Sequence, residues 1–237
     1  LKSFRPELVR KGLLIGTALG SGFLFQTLGL ARTTPAITGF ITGLYVVLTP
    51  VIAFLLFKEH LPRQVWLYVI LATAGLAVLS VKGFAIGLGE FFVLISAFLY
   101  AAHILLLSRW SKGFDSYALT VMQLIASSLL CLIPASINGY QPPPDRQVWG
   151  VIIFTAVFCT AIAFVIQTWS QARISATKVA VILTMEVVFA ALFSVVLGRE
   201  PLTLRLVIGG AMVVIAMIAI VQPKFHQEPQ TRETMGS

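Results

Sequence analysis

Eight apolar runs, each close to the length that crosses hydrocarbon, constrain this chain more than any motif in it. A membrane-spanning helix needs about 20 apolar residues to cover roughly 30 Å. Runs of that kind cover Gly12–Ala31, Thr34–Phe57, Val65–Val81, Gly89–Ser108, Tyr117–Ile137, Val148–Gln171, Val179–Leu197 and Leu204–Val221. The connections are short, so no soluble domain fits between the runs. Composition agrees: a soluble domain carries roughly 25% charged residues, and this chain of 237 residues has 11%, against 58% hydrophobic. Too little polar surface remains to cover a water-soluble globule. The chain reads as an all-α polytopic membrane protein, which excludes a cytosolic enzyme or a DNA-binding protein.

The net charge of +8 would suit a nucleic-acid partner in a soluble protein. Here the basic residues sit in the gaps between apolar runs, as orientation signals do, so membrane lipid and no nucleic acid is expected around the chain. With the N-terminal segment inside, 12 of the 17 basic residues fall on the cytoplasmic side, leaving Arg32, Lys82, Arg146, Arg199 and Arg205 outside. Both termini are therefore expected in the cytoplasm, and a bacterial inner membrane is the simplest location. Cys131 and Cys159 lie inside apolar runs and read as small buried hydrophobes. They make no disulfide framework and no metal-ligand spacing, and no cofactor is implied. The Pro-rich stretch Tyr140–Arg146 reads as a stiff surface loop, and residues 223–237 as a disordered cytoplasmic tail.

The chain also repeats itself. Gln26-Thr27-Leu28-Gly29-Leu30-Ala31-Arg32 matches Gln167-Thr168-Trp169-Ser170-Gln171-Ala172-Arg173 at a separation of 141 residues. The same separation relates Phe23 to Phe164, Ile41 to Ile182, Glu59 to Glu200 and Leu61 to Leu202. Extended backwards, the second copy has five spans and the first only three. Residue 1 is Leu, followed by Lys2-Ser3-Phe4-Arg5-Pro6, which is neither an initiator methionine nor a signal peptide. The expectation is that two spans precede it and that equal copies make ten. Five being odd, the copies sit upside down relative to each other, the inverted-repeat architecture of many secondary transporters. The expected organisation is a three-helix remainder of the first repeat over residues 1–83 and a second five-helix repeat over 84–222.

These residues resemble the EamA-type permeases of the drug/metabolite transporter superfamily. In the first half the resemblance rests on the glycine-rich span, Ala31-Arg32-Thr33-Thr34-Pro35, Thr49-Pro50 and Phe57-Lys58-Glu59-His60-Leu61. In the second half it rests on Gly89-Glu90, Ala102-His103, Ala172-Arg173-Ile174-Ser175-Ala176 and Leu197-Gly198-Arg199-Glu200-Pro201-Leu202. The resemblance implies transport of a small organic solute, with amino acids, their derivatives, drugs and other metabolites all compatible. A homodimer is compatible with it too. Many members carry Glu-Pro in the penultimate span, whereas Glu186 here precedes Val187, so less helix breaking is expected there.

Within the spans, Gly12, Gly16 and Gly20, and then Gly39 and Gly43, recur every four residues, the spacing that lets helices approach closely in lipid. Glu186 is the sharpest polar signal. A carboxylate inside a span costs several kcal/mol unless it faces a cavity, a partner or a proton, so it is expected to contact a solute cation, to couple protons, or to bond a neighbouring helix. His103 reads as a packing group or a solute and proton contact. The amides Gln26, Gln123 and Gln167 must find partners or line water. Tyr45, Tyr100 and Trp169 read as packing or as a cavity wall offering cation–π contact, while Trp66, Trp110 and Trp149 sit at span ends as interfacial anchors. Thr49-Pro50 is expected to interrupt the second span, as a polar pocket or hinge or as a static kink, and Glu59 and Glu200 to form end-cap ion pairs.

The leading function is a secondary transporter working by alternating access, with protons as the candidate coupling ion. The candidate solute site comprises Gln26, Tyr45, Thr49, Tyr100, His103, Gln123, Gln167, Trp169 and Glu186. A non-transporting scaffold or assembly protein is the second class. An intramembrane enzyme is the third, weakened by the absence of paired carboxylates, a metal set or a nucleophile with its base.

Overall fold

A computed structural model describes residues 4–33, 35–58, 62–80, 87–137, 142–196 and 202–221. Its elements are α1 (Pro6–Leu30), α2 (Pro35–Gly43), α3 (Tyr45–Phe57), α4 (Arg63–Ser80), α5 (Leu88–Trp110), α6 (Ser116–Ile137), α7 (Arg146–Phe154), a π-helical stretch (Thr155–Ile162), α8 (Ala163–Gln171), α9 (Ala176–Leu183), α10 (Met185–Val196) and α11 (Leu204–Val221). The described residues contain no strand. Among the described residues five helices are long and apolar enough to cross a membrane, with Arg63–Val78 and Leu206–Ala219 as shorter apolar helices. Among the described residues each of the eight apolar runs is helical, so the chain is an all-α polytopic membrane protein. The pairs expected at Glu59 and Glu200, the tail 223–237 and the start of the Tyr140–Arg146 loop lie outside the described residues.

Packing explains the order of the helices. Lipid tails are as apolar as leucine, so helices associate through close van der Waals contact at small residues. α1 packs most extensively on α5 and α6, and its glycines make that possible. A Cβ added at Gly16 would fall on the carbonyl oxygen of Gln123 and 2.7 Å from the Ala126 Cβ; one at Gly20 would stand 2.8 Å from the Ser127 Cα. Leu8, Ile15, Leu107, Ala118 and Leu119 fill the adjoining core. A second core joins α2, α3 and α4 to α9 and α11 through Ile41, Val46, Val69, Leu76, Val181 and Val213. Gly43 meets the Leu76 side chain, but Gly39 has nothing within 4 Å, so only one of that glycine pair marks a close approach.

Two spans are broken, and not where the sequence pointed. The second span continues through Pro50 inside α3 and breaks at Leu44 instead, where the amide of Leu44 donates to Ile41 and that of Val47 to Leu44, tightening one turn to three-residue spacing. The seventh span breaks at Thr184, although no proline follows Glu186. There the Thr184 amide and hydroxyl both donate to the Val181 carbonyl, at 3.2 and 2.6 Å. A buried threonine hydroxyl bonding back within its own helix competes with the regular ladder, and no proline is present at this interruption. The cysteines also differ from expectation. Cys131, in α6, is only partly buried, and Cys159 is exposed because no residue of the π-helical stretch that carries it is buried.

The glycines give a paired test. Gly16→Ala is expected to overpack the α1–α6 seam at a cost of about 1–3 kcal/mol. Gly39→Ala, in open space, is expected to be neutral or to stabilise by up to ~1 kcal/mol through the lower chain entropy of alanine. Thermal melting in detergent compares them, and equal melting temperatures would mean that the seam does not hold the fold.

Candidate functional site

The two breaks point at one place. Leu44 and Thr184 have nearly the same backbone geometry, φ −62° and ψ −12° against φ −62° and ψ −16°. Tyr45 opens α3 and Glu186 lies in the first turn of α10, the helix end at which a carboxylate is favoured. Both side chains border a cavity of about 180 Å³, lined also by Leu19, Phe23, Gln26, Thr42, Tyr100, His103, Ile104, Phe164, Gln167 and Leu183.

Eight of these twelve lining residues are pairs separated by the 141 residues of the sequence repeat: Phe23 with Phe164, Gln26 with Gln167, Thr42 with Leu183 and Tyr45 with Glu186. The phenylalanines meet edge to face with centroids 6.4 Å apart, and Tyr100 and His103 extend this wall at 5.8 Å from Phe23 and 6.0 Å from Phe164. The helix ends behind them repeat as well. Arg32 donates to the Leu28 carbonyl and Arg173 to the Trp169 carbonyl, each at 2.7 Å. Such bonds satisfy carbonyls that a helix terminus leaves open.

The polar residues are held in distinct ways. Tyr100 donates to Gln26 Oε1 at 2.9 Å, and Gln26 Nε2 donates to Thr42 Oγ1 at 3.1 Å. His103 Nε2 is 2.9 Å from Gln123 Oε1, while Gln123 Nε2 donates to Thr168 Oγ1 at 2.9 Å and Thr168 donates to the Phe164 carbonyl at 2.7 Å. Gln167 Nε2 donates to Gln171 Oε1 at 3.1 Å, and Gln171 Nε2 donates to the Ile104 carbonyl and Ser108 Oγ at 2.9 and 3.1 Å. Glu186 makes no hydrogen bond or ion pair among the described residues and is solvent-accessible within the span, because its surface opens onto the cavity. Among the described residues no lysine or arginine lines the cavity, and no group of three His, Cys, Asp or Glu could hold a metal.

Of the nine residues expected at the site, Gln26, Tyr45, Tyr100, His103, Gln167 and Glu186 line the cavity. Three lie off it. Gln123 is fully buried behind His103. Thr49 is fully buried in α3, its hydroxyl without a hydrogen-bond partner among the described residues. Trp169 is 52% exposed, with the Arg173 guanidinium 4.0 Å from its ring. Trp169 is therefore an outward-facing residue and not a cavity wall. Sequence reasoning missed Phe23, Phe164 and Thr42, together with Leu19, Ile104 and Leu183, as lining residues, and missed Gln171, fully buried and bonded to Gln167. The repeat register carried the signal for the first three, since each sits three or four residues from a polar residue of the site.

Comparison with known proteins places this geometry in context. The pattern of the EamA-like transporter family matches residues 2–81 and 87–222. An uncharacterized transporter of Archaeoglobus fulgidus is 34% identical over 212 residues, covering 89% of this chain and 68% of that protein. The uncharacterized transporter YyaM of Bacillus subtilis is 23% identical over 223 residues, covering 86% and 71%. One solved crystal structure superposes with a TM-score of 0.74 at 18% identity, covering 92% of this chain and 87% of the other; that likeness is one of fold.

The buried amide behind His103 yields a structural prediction. Gln123→Leu leaves the His103 Nε2–H without its acceptor, removes one of the two donors to Thr168 Oγ1 and is expected to cost about 1–3 kcal/mol. ¹⁵N spectra of His103 should show a single Nε2–H tautomer in the parent chain and a mixture in the variant. An unchanged tautomer would mean that Gln123 does not hold the ring.

Proposed function

The chain belongs to the EamA-like transporter family and is a multi-pass membrane transporter, and from that premise we propose that it is a secondary transporter moving a small organic solute by alternating access, with the cavity as its solute site. The observation that carries this reading is the meeting of four repeat-related residue pairs in one cavity beside two broken helices. Transporters built from inverted repeats bind their solute where the repeats meet, at discontinuous helices. On this reading residues 1–83 and 84–222 rock against each other about the cavity. Gln26, Tyr45, Tyr100, His103, Gln167 and Glu186 contact the solute, and Thr49, Gln123 and Trp169 act on it only through their neighbours.

Glu186 has a second assignment. A carboxylate without a partner inside a span needs a cation, a solute or a proton, so it is also the proposed seat of proton coupling. Both termini are proposed to be cytoplasmic, in a bacterial inner membrane. A scaffold would have no use for an open cavity with an unpartnered carboxylate in it, which favours transport. No catalytic role is assigned to any residue.

Uptake into proteoliposomes carrying the purified chain, with a mixed metabolite pool and an imposed pH gradient, tests the proposal. Solute movement is expected to follow the gradient. Glu186→Gln should lower it at least about tenfold, equivalent to ~1.4 kcal/mol, and Tyr45→Ala should weaken it further. Movement indifferent to the gradient would make the protein a facilitator and remove the coupling role of Glu186. Movement unaffected by the double substitution would sink the site assignment.

A further inference from the structure

Two buried hydrogen-bond chains fix the polarity of the cavity, and each is anchored on a main-chain carbonyl that can only accept. In the first, the Phe164 carbonyl takes the Thr168 hydroxyl proton at 2.7 Å, so Thr168 Oγ1 accepts from Gln123 Nε2 at 2.9 Å. That turns Gln123 Oε1 towards His103 and makes His103 Nε2 the donor across 2.9 Å. The imidazole then carries its proton on Nε2 and keeps Nδ1 as a bare acceptor. In the second, the Ile104 carbonyl and Ser108 Oγ take the Gln171 amide at 2.9 and 3.1 Å, so Gln171 Oε1 accepts from Gln167 Nε2 at 3.1 Å. Gln167 Oε1 is left with no donor among the described residues. Gln123 and Gln171 are both fully buried, so neither amide can turn without stranding its partners.

The opposite wall is different. Gln26, the repeat counterpart of Gln167, has its oxygen occupied by Tyr100 and its nitrogen engaged with Thr42. The free acceptors are therefore the Glu186 carboxylate, Gln167 Oε1 and His103 Nδ1, beside an aromatic wall of Phe23, Phe164 and Tyr100 and with no cationic side chain among the lining residues. A negative charge with neutral acceptors asks for a cation that donates several hydrogen bonds. Aromatic faces accept a cation's charge and an apolar body. A carboxylate on the same solute would find no opposite charge and would meet Glu186.

We propose that the cavity selects a protonated primary amine on an aromatic or branched apolar body, without a carboxylate, and that Gln171 and Gln123 are positioning residues which set this preference. The proposal rests on the transporter reading above and narrows its solute class. A quaternary ammonium fits the charge and the rings but offers no N–H to Gln167 or His103, which is the distinction the experiment uses.

Isothermal titration of the purified full chain with 2-phenylethylamine, its N,N,N-trimethyl derivative, phenylalanine and 3-phenylpropionate makes the comparison. The primary amine is expected to bind at least about tenfold tighter than the trimethyl derivative, the scale of a hydrogen bond to a charged group, and the two carboxylate-bearing probes more weakly than either. Gln167→Leu should shrink the gap between the two amines while leaving the trimethyl affinity within about twofold. A misfolded variant would lose both together, so Gln171→Leu is measured beside it and should shrink the same gap. Trimethyl binding equal to or tighter than that of the primary amine overturns the proposal, as does tighter binding of phenylalanine. If no amine binds while proteoliposomes still move other solutes, the amine proposal falls and the transporter reading stands. If nothing binds and nothing moves, both fall.

Discussion

The seam between α1 and α6 is the contact on which the rest of the site depends. Helices in lipid gain nothing from hiding apolar surface, so they associate where backbones can come close. The Gly12, Gly16 and Gly20 face of α1 meets the backbone of α6 at Gln123 and Ser127. The same contact brings Gln123 to His103 and carries Phe23 and Gln26, one and two turns further along α1, to the cavity. A bulkier residue at Gly16 would therefore disturb more than packing. It would move the amide that orients His103 and the aromatic wall together.

Satisfaction of polar groups is the second constraint, and it links the scaffold to the chemistry. Within hydrocarbon an unpaired polar group costs several kcal/mol, so buried amides and hydroxyls recruit one another. Gln123, Gln171, Thr120 and Thr168 are almost fully buried and all hydrogen-bonded. Among the described residues the buried hydroxyls of Thr38, Thr49, Ser96 and Ser111 depart from this rule, and Glu186 is the charged departure. It sits beside a break in its helix, opens to the cavity and has no partner among the described residues. A group left this way costs stability, and a transported or coupled cation is what would offset it.

Span placement was legible because hydrocarbon thickness sets a length that composition reveals directly. The polar part of the site was legible for a related reason: amides, a histidine and a carboxylate inside apolar runs must be accounted for, and of the five such residues Gln26, His103, Gln167 and Glu186 line the cavity. Aromatic residues gave no such signal. In a membrane protein the lipid-facing side is as apolar as the core, so periodicity could not separate Trp169, facing outward, from Phe164, facing in. The breaks were missed for another reason. Proline is the residue that marks a break in sequence, yet Pro50 lies inside α3, while the interruption at Thr184 has no proline beside it.

The repeat places matching positions around one cavity but does not give them matching chemistry. Tyr45 and Glu186 are counterparts, as are Thr42 and Leu183, and in both pairs the two residues differ in kind. Gln26 and Gln167 are identical residues with different freedom, because Tyr100 and Thr42 engage one and Gln171 orients the other. A scaffold of two similar halves can present the same solute to either side of a membrane with similar geometry. Its charge and free acceptors nonetheless belong mostly to the second half. On the proposed reading, a solute there meets acceptors chiefly from α5, α8 and α10, while α1 and α3 supply an aromatic and hydroxyl-bearing face. On the same proposed reading, selectivity follows from the half that carries Glu186.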